Sequence, residues 1–201
     1  MRYITVYKHE DHRAEGFQYT EKFFNDAGIK REVIIDPRPG EPFSYTRSVR
    51  EYLGHYRGIA CVMDADVYLE PCQINDAGIV AAKGYPFVLP YDGRVFENLG
   101  PEARGLITSA AVGGIQVFNC GVYLDMCGGE NPNFKLWGEE DLERFSRVCK
   151  FARVPRIKGP LYHYAHARGL PNHDYMSNNI EEYDKVDKMT AADVEQYVKT
   201  W

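Results

Sequence analysis

Over its first ninety residues the chain alternates short apolar runs with stretches patterned for helices, and this alternation limits the fold more than any other feature. "RYITVY" is rich in β-branched and aromatic residues and reads as a strand. "DHRAEGFQYTEKFFNDAG" places Phe17, Thr20, Phe24 and Ala27 on one helical face, with Gly28 as its stop signal. "REVIID" is a second strand, ending at Asp36, and "PRPGEP" is a loop. "SYTRSVREYLGHY" sets Tyr45, Val49, Tyr52, Leu53 and Tyr56 at helical spacing. "GIACVMDADVYL" is the third strand, followed by a short helix near residues 72 to 82 and the strand "YPFVLPY". The pattern predicts an α/β fold with a mostly parallel central sheet flanked by helices. Ligands of such sheets bind beyond the carboxyl ends of the strands, where Asp36 and the pair Asp64 and Asp66 fall.

The second half is less regular. "FENLGPEARGLITSAAVGG" has no clear period and reads as loop or short helix, "GIQVFN" as a strand and "GVYLDM" as a helical turn. "EEDLERFSRVCKFA" is a helix with Leu142, Phe145, Val148, Cys149 and Ala152 along one side. "LYHYAHARGLPNHDYMSNN" is aromatic, histidine-rich and irregular, its later part a lid-like stretch. The tail "MTAADVEQYVKT" is a helix with Thr190 as N-cap and Asp193 three residues on.

Composition narrows the function classes. A net charge of −5 with no basic tract argues against nucleic-acid binding. With 44% hydrophobic and 26% charged residues in 201, and no internal repeat or low-complexity linker, the chain is expected to be one ordered domain. Cys61, Cys72, Cys120, Cys127 and Cys149 are an odd set without CxxC spacing, expected to be reduced and buried as in a cytosolic-type compartment. No apolar run reaches the length of a membrane span, and "MRYITVYKHE" lacks a signal-peptide core. The expectation is a soluble, cytoplasmic protein.

Three clusters carry candidate chemistry. In an extended segment Asp64 and Asp66 point to the same side, so both can address one divalent ion. Carboxylates ending a buried strand need compensation, and hard oxygen donors suit Mg²⁺ or Mn²⁺, ions that also grip diphosphates. A solvated strand end is the plainer alternative. In "NPNFKLWGEEDLERF", Glu139, Glu140 and Asp141 fill the first turn of a helix, where acids complement the helix dipole. The dipole also favours the ionised carboxylate that a proton acceptor requires. In "LYHYAHARG", His163 and His166 face opposite ways if the segment is extended, and both reach one site if it turns. Nitrogen ligands would favour Mn²⁺ over Mg²⁺.

Taken in order, "CVMDADVYL", "VLPYDGRVFENL", "GGIQVFNCGVYLDMCGGENPNFKLWGEEDLERFSR" and "LYHYAHAR" resemble the GT-A-fold glycosyltransferases. The likeness is greatest to the branch of β-1,4-galactosyltransferases, polypeptide N-acetylgalactosaminyltransferases and bacterial polysaccharide synthases, and it covers about residues 45 to 170. Its strongest piece is a glycine pair, then "NPNF", then "WGEED". The resemblance implies Asp66 as metal ligand of a DxD motif and Asp64 near the ribose and the metal-bound diphosphate. His166 matches the family's metal-binding histidine, and His163 stands where the galactosyltransferase pattern has a methionine, so which histidine ligates stays open. Asp141 aligns with the base toward the acceptor hydroxyl and Glu140 with its acidic neighbour. Gly113 and Gly114 align with glycines bordering the donor sugar, and Trp137 with an acceptor platform. Asp36 falls where such enzymes hold the uracil, and Arg47 or Arg50 where a basic residue contacts the donor.

The function so implied is a metal-dependent transferase, using Mn²⁺ or Mg²⁺, that moves a sugar from a nucleotide sugar, a UDP-sugar, to a hydroxyl of a glycan or glycoconjugate. Residues 1–92 would form its nucleotide-binding half and residues 93–201 its acceptor-binding half. One carboxylate base opposite the leaving group implies inversion. The alternatives are a retaining transferase of the same fold and a non-catalytic nucleotide-sugar or glycan-binding module.

Overall fold

Strand β1 (Arg2–Val6) turns from half-exposed residues at its start to buried Ile4, Thr5 and Val6 at its end. It pairs in parallel on both sides, with β2 (Glu32–Ile34) and β3 (Ile59–Asp64). Ala60, Cys61, Val62 and Met63 form an unbroken buried run in β3, the composition of a strand covered on both faces. In this computed structural model, which describes residues 1–8, 11–34, 43–98, 104–166 and 173–201, the order of the main sheet is β2-β1-β3-β8-β5. Here β5 is Phe87–Val88 and β8 is Ile115–Asn119. Four strands run one way and β8, antiparallel to both neighbours, runs the other, so the sheet is mostly parallel in direction.

The predicted third strand is two strands in two sheets. The chain turns at Ala65 and Asp66, and β4 (Val67–Tyr68) leaves the main sheet to pair with β9 (Leu161–Tyr164). With β6 (Val95–Asn98) and β7 (Arg104–Thr108) they form a second sheet of order β4-β9-β6-β7. The hairpin of β6 and β7 lies where the sequence suggested loop. Leu106 and Ile107 of the edge strand β7 are exposed and Gly105 interrupts the run, so no alternation marks it as a strand.

Helices cover these sheets. They are α1 (Asp11–Asp26), α2 (Tyr45–Leu53), α3 (Pro71–Ala81), α4 (Cys120–Cys127), α5 (Glu140–Cys149), α6 (His173–Asp187) and α7 (Ala191–Tyr197), with a final 3₁₀ turn at Val198–Thr200. Ser44 caps α2, and Thr190 with Asp193 forms the expected capping box at α7. None of the described helices is long and apolar enough to cross a membrane.

Helix α5 follows its apolar pattern only in part. Leu142 and Cys149 are exposed, while Glu140, Glu143, Arg144, Arg147 and Val148 are buried. Arg147, fully buried, bonds Glu143 Oε1 at 2.7 Å, the carbonyls of Cys127 and Gly129, and Tyr123 Oη. Arg144 forks onto Glu130 at 2.9 and 2.7 Å. Charges this well partnered can occupy a core. The segment "HDYMSNN" opens a regular helix, α6, whose inward residues Asn179, Glu182 and Val186 are mostly polar and so conceal its period. Cys61, Cys120 and Cys127 are buried as expected; Cys72 and Cys149 are not, because each faces outward on its helix.

Candidate active site

The turn between the two sheets determines the site. Because β3 ends at Asp64, period-two alternation does not carry to Asp66, and the two carboxylates have different surroundings. Asp66 is 2% exposed. β9 runs antiparallel to β4 with His163 opposite Val67, and its chain leaves the strand after Tyr164, whose N–H donates to the Asp66 carbonyl at 2.7 Å. Both imidazoles thereby reach Asp66. His166 Nε2 lies 3.1 Å from Asp66 Oδ2 and His163 Nε2 lies 3.9 Å from Oδ1.

One donor atom from each of Asp66, His163 and His166 fits within 4.8 Å of the others. Metal–ligand bonds of roughly 2.0–2.2 Å set neighbouring ligands about 3 Å apart, close to the spacing of His166 and Asp66. Burial lowers the pKa of His163 despite the opposing pull of Asp66, which leaves it neutral at pH 7, the form that ligates metals. Among the described residues its buried Nδ1 has no hydrogen-bond partner. Burial alone would raise the pKa of Asp66, but bonding from His166 and the charge of Arg13 hold it far below the usual carboxylate range. The set of one carboxylate and two imidazoles suits Mn²⁺.

Asp64 feels the charges both of Asp66 in this cluster and of Asp141 and Glu140 at the tip of α5. Its N–H donates to the Gly114 carbonyl at 2.8 Å, because β8 begins just after the glycine pair and runs antiparallel to β3. Burial and then the charges of Asp141 and Asp66 push its carboxyl well above its ordinary pKa, with Arg13 opposing. So many carboxyls acting on one another favour a cation there. Asp141 Oδ1 accepts from Gln116 Nε2 at 2.7 Å and from Arg144 Nη1 at 2.5 Å. The rest of the carboxylate lies on Gly113, where a Cβ would come within 2.7 Å of Asp141 Cγ and closer still to Oδ2. Tyr91 Oη donates to the Gly113 carbonyl at 2.6 Å and fixes that loop.

The turn before α5 carries positive φ at Leu136, Gly138 and Glu139. Asn179 of α6, fully buried, fastens it by donating to the carbonyls of Lys135 (2.8 Å) and Gly138 (3.1 Å) and accepting from Lys135 N–H (3.1 Å). Trp137 is left 41% exposed on this turn, with Lys8 Nζ 4.9 Å above its ring. Glu140 differs from the dipole expectation: burial, then Asp141, push it up to about 8, and its carboxylate accepts from Gly138 N–H inside the turn.

Asp36 lies outside the described residues. Arg47 and Arg50 line a separate cavity of about 890 Å³ between α2, α4 and the 128–135 loop, whose walls include neither Asp64, Asp66 nor Asp141. Arg50 donates to the Glu130 carbonyl at 2.7 Å. Sequence reasoning missed Arg13, Gln116 and Arg144. Of these only Arg144, three residues after Asp141 on one helix, had a readable signal.

No family model matches this sequence, and no curated protein matches it. Solved structures do resemble it in shape. GalNAc-T7 with UDP, GalNAc and Mn²⁺ superposes with a TM-score of 0.57 at 10% identity, over 98% of this chain and 47% of that one. TarS 1–349 of S. aureus gives 0.53 at 13% identity, over 98% and 69%. The mannosyltransferase PcManGT from Pyrobaculum calidifontis, in complex with GDP-Man and Mn²⁺, gives 0.50 at 11%, over 98% and 69%. The chain therefore spans about half the length of the GalNAc-T7 structure. Each superposition covers 98% of this chain, and the likeness is one of fold, that of the GT-A glycosyltransferases. This chain has the GT-A fold.

Proposed function

We propose that the protein is a metal-dependent, inverting glycosyltransferase that moves a sugar from a nucleotide-sugar donor, a UDP-sugar, to a hydroxyl of a glycan or glycoconjugate. The observation that carries this reading is the convergence of Asp66, His163 and His166 within 4.8 Å, with Asp141 held against Gly113 and acting, like Asp66, on Asp64. In this reading residues 1–92 serve the nucleotide and residues 93–201 the acceptor.

Asp66, His163 and His166 would hold the ion. A bound Mn²⁺ or Mg²⁺ supplies Lewis-acid stabilisation of the diphosphate leaving group. Asp64 borders the diphosphate and ribose. Asp141 takes the proton of the attacking hydroxyl; Gln116 and Arg144 hold Oδ1 and so aim Oδ2 into the space that Gly113 leaves open. Trp137 offers an exposed face to the acceptor. With one base opposite the leaving group, displacement is direct and the anomeric configuration inverts.

The test is hydrolysis and transfer from a panel of nucleotide sugars, with Mn²⁺ or with a chelator, read by anomeric NMR. Mn²⁺-dependent release of UDP with inversion is expected. Turnover indifferent to chelation, or a product of retained configuration, would refute the metal or the inverting part. Asp141→Asn should lower transfer by ~10²–10⁴-fold while donor affinity by calorimetry stays within about twofold.

A further inference from the structure

Arg13 stands in the first turns of α1, and its guanidinium meets the proposed metal ligand directly. Nε and Nη2 donate to Asp66 Oδ2 at 2.9 and 2.6 Å, and His166 Nε2 approaches the same oxygen at 3.1 Å. Three nitrogens thus converge on one oxygen of a carboxylate that is 2% exposed. A divalent cation bound at that oxygen would compete with two N–H donors and face a full positive charge. The guanidinium and the cation are therefore alternatives there.

The helix that carries Arg13 is fixed. Gly16 packs so closely on Asp66 and Tyr164 that a Cβ would lie 3.3 Å from Asp66 Cβ and 3.2 Å from Tyr164 Cδ1. Glu15 accepts from Tyr164 Oη at 2.7 Å. A displacement would therefore fall on the Arg13 side chain, whose charge already acts on Asp64, the residue assigned above to the diphosphate. A guanidinium forks onto phosphate oxygens as well as onto a carboxylate.

We propose that Arg13 is the counter-ion of Asp66 in the metal-free protein, and that a divalent cation displaces it onto the donor's diphosphate, so that metal and donor bind cooperatively. The proposal rests on the metal-dependent reading of the site. It assigns a donor-binding residue to α1, outside the DxD segment and the acidic tip of α5.

Calorimetry on metal-stripped wild type, Arg13→Gln and Arg13→Lys tests it, first with Mn²⁺ alone. The second arm uses UDP, GDP and inorganic pyrophosphate at saturating Mn²⁺, the last being independent of any base. Arg13→Gln should bind Mn²⁺ alone about tenfold more tightly and pyrophosphate about tenfold more weakly, as loss of one charged hydrogen-bonding partner implies. Arg13→Lys keeps the charge and should stay near wild type with Mn²⁺. Wild type binding Mn²⁺ no more weakly than Arg13→Gln would overturn the displacement, and unchanged pyrophosphate affinity would overturn the phosphate role. If neither protein binds Mn²⁺, the metal reading itself fails and this inference with it. Diphosphate binding that needs Arg13 but no Mn²⁺ would make the arginine a permanent substitute for the ion and refute the exchange.

Discussion

Gly113 shows how one missing side chain can define a site. Its α-carbon faces Asp141, its carbonyl is held by Tyr91, and any Cβ would overlap the carboxylate. A methyl group there must push Asp141 off Gln116 and Arg144 or close the space in front of Oδ2. Gly113→Ala is therefore expected to lose transfer nearly as completely as Asp141→Asn, ~10²-fold or more, with the fold retained by circular dichroism. Transfer within a few-fold of wild type would show that Asp141 does not work from this position. Asp66 is the counterpart among the strand-end acids, a buried carboxylate surrounded by donors.

Among the elements, α5 and α6 hold the catalytic tip, and both depend on buried polar groups. Arg147→Met leaves Glu143, 1% exposed, without its partner, and should destabilise the protein by roughly 3–5 kcal/mol in urea unfolding. Arg147→Met with Glu143→Leu should recover only the part of that loss that belongs to the ion pair, since the carbonyls of Cys127 and Gly129 still lose their donor. Equal stability of the single and double variants would contradict the ion-pair account. Asn179→Ala strips the Trp137–Gly138 turn of its fastening, at about 1–3 kcal/mol, and should raise the acceptor KM more than the donor KM. These elements also mark where sequence reading stops. The buried run of β3, the cap at Thr190 and, apart from the split of the third strand, the order of strands and helices before residue 90 follow periodicity and capping rules, and the structure agrees. Periodicity misleads at α5, where Arg144 and Arg147 are core because of partners remote in sequence, Glu130, Cys127 and Tyr123. It is silent at α6, whose inner face is Asn179 and Glu182. The carboxylate and both histidines of the candidate site were legible from residue type and order. Arg13 was not, because its link to Asp66 spans 53 positions and two elements.

At the scale of the whole molecule, the architecture gathers acids at one end. The turn of β3 into β4, the end of β9 and the tip of α5 meet there, so Asp64, Asp66, Glu140 and Asp141 act on one another. Glu140 is pushed up to about 8 by burial and by Asp141, against an ordinary value of 4.5, and global stability must respond. Below pH 4.5 the carboxyl is protonated in both states, and its contribution to the fold is complete. As pH rises toward 8 the unfolded chain ionises first, and that contribution is lost. Asp64, also raised, pulls the same way, whereas the depressed Asp66 contributes above the usual carboxylate range and loses its effect only in acid. Glu140→Gln retains an acceptor for Gly138 N–H but has no proton to lose. In metal-free buffer the variant should therefore gain stability relative to wild type between pH 4.5 and 8, by on the order of a few kcal/mol. Paired urea melts at pH 4.5, 6 and 8 read the difference directly. A gap that stays constant over that range would show that Glu140 is ionised throughout in the fold, and that its burial beside Asp141 is compensated within the turn.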